Sequence, residues 1–177
     1  MLQTNFDPFP ILTTERLILR PLKISDAEDI FIHRNDEVVN TYLDNFRHLS
    51  IEDSIAFIER VQRETAEGRT IMWVLSLKEN DRFMGTVCFW RIYKEAHTAE
   101  TGYTLLSEFH GKGYMNEALA RIINYGLDVM GLRYIDAYTH QENIASAKLL
   151  VKNGFKPGKP QKEVSANRVY YYMEVGE

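Results

Sequence analysis

The feature that most constrains this chain is the stretch at residues 100–119, E-T-G-Y-T-L-L-S-E-F-H-G-K-G-Y-M-N-E-A-L. Tyr103 and Leu105, with Thr101 and Thr104 between them, suit a pleated surface, so the stretch begins as a strand. It then passes through Gly111, Lys112 and Gly113 and enters a helix with apolar residues at helical spacing. A glycine turn at the start of a helix leaves several backbone N–H groups unpaired, and the helix dipole adds partial positive charge there. Such a turn is a site for an anion, phosphate above all. A Walker-type loop is a poor match, because it needs G-x-x-x-x-G-K-[ST] and here Lys112 is followed by Gly113.

The flanking sequence predicts what surrounds this turn. Residues 1–13 are broken by prolines and read as irregular, and 14–22 alternate as a first strand with Leu17 and Leu19 on one side and Arg16 and Arg20 on the other. Ser25 opens a helix whose first turn holds Asp26, Glu28 and Asp29, and 38–48 read as a short helix plus loop. Ser50 caps the next helix, in which Ile51, Ile55, Ile58 and Val61 recur at helical spacing up to Gly68. Three strands follow, at 71–77, at 82–90 and at the segment holding Glu100. After the turn, Leu119, Ile122, Ile123, Gly126 and Met130 line a helix face that ends at Gly131. A strand at 134–140, a helix from Asn143 to Gly154, and strands at 155–164 and 168–175 complete the chain. The order β-α-α-β-β-β-α-β-α-β-β, without repeats or linkers, predicts an α+β fold with a mixed, largely antiparallel sheet flanked by helices.

At 177 residues the expectation is a single domain, 1–177, with its core at about 13–175. A net charge of −4 argues against a dedicated nucleic-acid binder. The one cysteine, Cys88, lies in the apolar run F-M-G-T-V-C-F-W and reads as a buried thiol rather than a nucleophile. His33, His48, His97 and His140 show no ligand spacing, so no metal is expected. No apolar run is long enough to span a membrane, and the N-terminal residues show no secretion signal, so the expected compartment is the cytoplasm.

Two motifs in order, H-G-K-G-Y-M-N-E-A-L and N-I-A-S-A-K-L-L-V-K-N-G-F, resemble the GNAT superfamily of acetyl-CoA-dependent N-acetyltransferases. T-E-R-L-I-L-R-P-L near the start and E-T-G-Y-T-L before the turn bring the resemblance closest to the RimJ/RimL-type branch, which acetylates protein N-termini and related amines. The superfamily's pyrophosphate loop, [QR]-x-x-G-x-[GA], aligns with His110, Gly111, Lys112, Gly113, Tyr114 and Met115, and both outer positions depart from it.

The resemblance implies acetyl-CoA as cosubstrate and direct transfer to a primary amine, without a covalent intermediate and without a metal. Backbone groups at Tyr103, Thr104 and Leu105 would face the pantetheine and thioester, and the loop through Asn116 would hold the pyrophosphate. Glu100 occupies a position from which related enzymes take the amine proton or orient a water; alternatively it is a solvated strand carboxylate. Ser146 resembles a serine placed near the coenzyme sulfur, or else a small polar residue in a first helical turn. Asn143 would cap its helix and contact the pantetheine, and Lys148 is either a phosphate contact or a solvated helix lysine. The tyrosine that many relatives carry on this helix is replaced by Leu150.

The expected acceptor is a protein N-terminal amine, with a small-molecule amine such as a polyamine or antibiotic as the alternative. A non-catalytic coenzyme A-binding module is the reading from another class. Trp73 and Trp90 read as core or acceptor-pocket walls, and Tyr42, Phe46 and one or two of the 170–172 tyrosines are further candidates for the acceptor groove. Asp36, Glu37, Asp44, Glu52 and Asp53 would suit a basic acceptor if they lined it, or else are helix-start and surface charges, the commoner situation. A homodimer is the candidate assembly.

Overall fold

The computed structural model describes residues 1–43, 47–160 and 167–175. Eight strands form one sheet: β1 (Leu12–Thr13), β2 (Leu17–Pro21), β3 (Ile71–Leu77), β4 (Phe83–Tyr93), β5 (Thr98–Leu105), β6 (Tyr134–His140), β7 (Lys156–Gly158) and β8 (Arg168–Glu174). Their order across the sheet is β1-β2-β3-β4-β5-β6-β8-β7, and every pair is antiparallel except β5–β6. The helices are α1 (Ala27–Asn35), α2 (Glu37–Asn40), α3 (Ile51–Ala66), α4 (Tyr114–Asn124) and α5 (Ile144–Lys152). This is the mixed, largely antiparallel sheet flanked by helices that the order of elements predicts.

The central strands are apolar on both faces because helices cover both. In β3, Ile71, Trp73 and Leu75 pack with Leu119 and Ile122 of α4, while Met72 and Val74 pack with Ile30 of α1 and Phe57, Ile58 and Val61 of α3. This is the period of two expected of a strand, with neither face left to water. α4 runs on into a π-helical turn, Tyr125–Met130, ended by Gly131 at φ +81. The π turn brings Gly126 against β4, where a Cβ would stand 2.8 Å from Phe89 Cζ.

Three local readings change. The segment before residue 14 is not irregular throughout: Leu12 and Thr13 pair with Leu19 and Ile18, Pro10 O accepts a hydrogen bond from Trp73 Nε1 at 2.8 Å, and Leu2 and Phe6 are buried. Asp26 is not a solvated helix-start charge. It is 4% exposed and takes a two-pronged ion pair from Arg20, with contacts of 2.8 and 2.9 Å, while Arg20 Nε reaches Asp81 at 2.6 Å. The strand expected at 155–164 is only Lys156–Gly158, and residues 161–166 lie outside the described ones. Among the described residues no helix is long and apolar enough to cross a membrane.

Candidate active site

The two parallel strands at the sheet's centre start together and then part. Thr98, Ala99 and Glu100 pair with Tyr134, Ile135 and Asp136, and the pairing stops there although both strands continue. Leu106 N–H donates to Met84 O at 2.8 Å. In an antiparallel ladder alternate residues face the same neighbour. The backbone groups of residues 102 and 104 therefore face β4, and those of 101, 103 and 105 face the gap left by β6. The last bridge, Glu100 with Asp136, uses the Thr101 N–H, so beyond it the backbone groups of Tyr103 and the N–H of Leu105 line one wall of a wedge, an edge for an extended ligand.

The wedge ends at the glycine turn. Gly111 and Gly113 take φ +72 and +81, and a Cβ at Gly111 would meet nothing within 4 Å, so the turn lies open. Gly113 is the N-cap of α4 and offers no side chain to its first-turn N–H groups; the first intrahelical bond is Glu117 N–H to Gly113 O at 3.1 Å. The N–H groups of Tyr114, Met115 and Asn116 are left for a ligand.

The turn is braced from behind. Arg16 donates to Lys112 O at 3.0 Å and to Glu117 at 2.8 Å, and lies 4.2 Å over the Tyr114 ring. Burial pushes the Glu117 carboxyl up, but hydrogen bonds from Thr14 and Arg16 outweigh it and hold the group below its ordinary value. His110, at the loop's first departure from the family pattern, donates from Nε2 to Leu105 O at 2.8 Å and pins the turn to the end of β5.

Two cavities meet in the wedge. The coenzyme-side lobe, about 560 Å³, is walled by Leu105, Phe109, the turn, Met115, Asn116 and Leu149. The other, about 410 Å³, lies under α1 and α3 against β4 and β5, and its wall includes Glu100, Gly102, Trp90 and Tyr138. Tyr103, Thr104, Asn143 and Ser146 line both, so they stand at the junction. There Tyr103 Oη and Ser146 Oγ share a hydrogen bond of 2.8 Å. Burial pushes the Tyr103 phenol up to about 12, against a lowering by Ser146, so it stays protonated at neutral pH. Asn143 Oδ1 accepts from Ser146 N–H at 3.0 Å and caps α5.

Most of the residues singled out in the sequence are brought together. Glu100 lines the second lobe, with its carboxylate 2.6 Å from Arg91 Nη1 and its side chain 21% exposed. Lys112 and Lys148 are exposed and line neither lobe, and neither do Tyr170, Tyr171 and Tyr172. Leu150 is buried in the core. Cys88 is buried beside Gly102 O, and burial pushes its thiol well up. Asp36 and Asp53 cap α2 and α3 instead of lining the cleft; Asp44 and Phe46 lie outside the described residues. Among the described residues no group of three His, Cys, Asp or Glu is placed to hold a metal.

The Tyr103 hydroxyl was not legible as a site group. Its alternation with Leu105 marks a strand residue, and only the parting of β6 turns that side chain toward α5.

The sheet opens at its centre onto an uncapped helix start, which suits an extended ligand with an anionic end. Residues 16–156 match the family described as the acetyltransferase (GNAT) domain, and the chain belongs to that family of acetyl-CoA-dependent enzymes. It is 37% identical over 150 residues to the uncharacterized N-acetyltransferase YoaA of Bacillus subtilis (strain 168), with 84% of each chain covered. Its fold is similar to that of the ribosomal-protein-S5-alanine acetyltransferase from Vibrio fischeri, at a TM-score of 0.79 and 23% identity over 93% of this chain and 96% of that one. It is also similar in fold to the microcin C7 self-immunity acetyltransferase MccE, solved with acetyl-CoA and AMP, at 0.77 and 21% over 91% and 93%.

Proposed function

We propose that this chain acetylates an N-terminal α-amine, with acetyl-CoA held in the coenzyme-side lobe and the acceptor in the lobe under α1 and α3. The observation that carries this is the junction: the strand edge, the Tyr103–Ser146 pair and the mouth of the second lobe meet at one place. The pyrophosphate would take the N–H groups at the start of α4. The pantetheine would pair with the backbone groups of Tyr103 and the N–H of Leu105 along β5.

The chemistry then follows from what each group can donate or accept. The neutral amine attacks the thioester carbonyl carbon, a C–N bond forms and the C–S bond breaks. Backbone N–H groups on the open edge of β5 stabilise the oxyanion. The Glu100 carboxylate takes the amine proton, directly or through one water. The departing sulfur accepts a hydrogen bond from the Tyr103–Ser146 pair and ends as the thiol, so that the net proton passes from nitrogen to sulfur. With Leu150 unable to supply an acid, this hydroxyl pair stands where the leaving group needs one. Trp90 and Tyr138 form the walls past which the amine must enter.

A protein acceptor is supported by the fold shared with the S5-alanine enzyme. A small-molecule amine is the second reading, favoured by the modest size of the acceptor lobe. Calorimetry with acetyl-CoA, followed by thiol release over a panel of N-terminal peptides and small amines, tests the proposal. Micromolar binding with release from peptides supports it; release from small amines alone supports the second reading. Binding without release from any acceptor overturns both.

A further inference from the structure

The acceptor lobe contains two groups that the transfer chemistry leaves unused. His33, on α1, is 4% exposed and lines the lobe, and neither of its ring nitrogens has a hydrogen-bond partner. Its ring sits edge-on to Phe83 at 5.6 Å. A buried polar group left unpaired is destabilising, so one in a cavity wall calls for a ligand to complete it.

The next residue, Arg34, lines the same lobe. Among the described residues its guanidinium makes no ion pair and no hydrogen bond, and it rests on the Phe57 ring at 4.3 Å. Burial and the nearby Arg60 both pull its pKa below the ordinary arginine value, as expected for a cation without a counter-ion. Glu100 is the one carboxylate among the described lining residues, and Arg91 already pairs with it. A polycationic acceptor would meet like charge here; an anionic group would meet a donor and an unpaired cation.

Resting on the reading that this lobe receives the acceptor amine, we propose that the acceptor carries a carboxylate that seats against His33 and Arg34. The substrate class is an aminocarboxylate. Arg34 donates its fork, and neutral His33, whose ring nitrogens each expose less than 1 Å², donates one N–H once its ring turns toward the ligand, while the amine at the other end of the molecule reaches the junction beside Glu100. A lobe of about 410 Å³ is near the small end of ligand sites and accommodates one acidic residue. That residue is either the first of a peptide chain or a free amino acid.

Matched acceptors test this. Peptides beginning with Asp or Glu are compared with those beginning with Asn or Gln, and free aspartate and glutamate with their side-chain amides, by thiol release from acetyl-CoA. The carboxylate member of each pair is expected to lead in kcat/KM by about tenfold to a hundredfold, and the better of the two arms identifies the source. Arg34→Met is expected to abolish the preference while acetyl-CoA affinity stays unchanged; Arg34→Lys, which keeps the charge, is the second variant should the first fail to fold. Equal turnover of acids and amides overturns the carboxylate assignment and leaves the acetyltransferase reading standing. Should no acceptor be turned over, the His33 ring resonances in the coenzyme A complex still decide: a shift on adding the aspartyl peptide but not the asparaginyl one supports the assignment. Identical responses, or none, overturn it.

Discussion

Tyr103 Oη lies 2.8 Å from Ser146 Oγ, and this bond joins β5 to the first turn of α5 across the wedge. On the proposed mechanism the two hydroxyls act as one unit toward the sulfur, so their removal should not be additive. Tyr103→Phe and Ser146→Ala are each expected to lower kcat by about 10²-fold with KM for acetyl-CoA little changed, and the double variant to lose little more than either. A double-mutant cycle measures the coupling; strictly multiplicative losses would show two independent roles.

Glu100 is the proposed base, and its carboxylate lines the second lobe beside Arg91. Glu100→Gln is expected to lower kcat by about 10²- to 10⁴-fold while the calorimetric affinity for acetyl-CoA is retained. Unchanged turnover across the pH range would remove Glu100 as the base.

His33 makes stability depend on pH. Burial first, and the Arg34 charge second, pull its imidazole down to about 4 in the folded protein, against about 6.5 in the unfolded chain. Between those values the unfolded chain binds a proton that the folded one does not, so stability falls as pH falls through this window. The loss is absent above about pH 7 and reaches about 3 kcal/mol near pH 4. Urea unfolding of wild type and His33→Phe at pH 7 and pH 4.5 checks this: the variant should lose less on acidification, and parallel losses would mean that His33 is not held neutral.

Arg20 and Asp26, 7% and 4% exposed, form a buried ion pair between β2 and the turn before α1. Arg20→Ala leaves Asp26 without its partner and is expected to cost about 3–5 kcal/mol, read as a lower urea midpoint at unchanged slope. A change below 1 kcal/mol would show that water replaces the guanidinium.

The elements that build the sheet could be read because apolar spacing and capping residues act locally. Ser50 with Asp53, Asn143 with Ser146 and Gly131 at the end of the π turn stand where the sequence placed the helix ends. The glycine turn was legible for the same reason, since an uncapped helix start is a property of neighbouring residues. What could not be read depends on distant strands. The even residues of β2 seemed a second face of no special kind, yet Arg20 is buried because α1 and Asp81 close over it. Tyr103 reads as one more strand aromatic until β6 parts from β5, and nothing in the sequence singles out His33 with Arg34 until α1 is laid over β4. The acidic residues at 36 and 53 read either as an acceptor lining or as helix-start charges, and both serve their own helix starts.

The central claim is that the coenzyme enters the gap between β5 and β6 with its sulfur at the Tyr103–Ser146 pair. A crystal structure with coenzyme A bound tests it in one measurement, the distance from the sulfur to those two hydroxyls. The account predicts about 3–4 Å, the reach of a hydrogen bond to sulfur, with the pyrophosphate on the N–H groups at the start of α4. A sulfur directed away from the pair, or a coenzyme bound outside the gap, would contradict it.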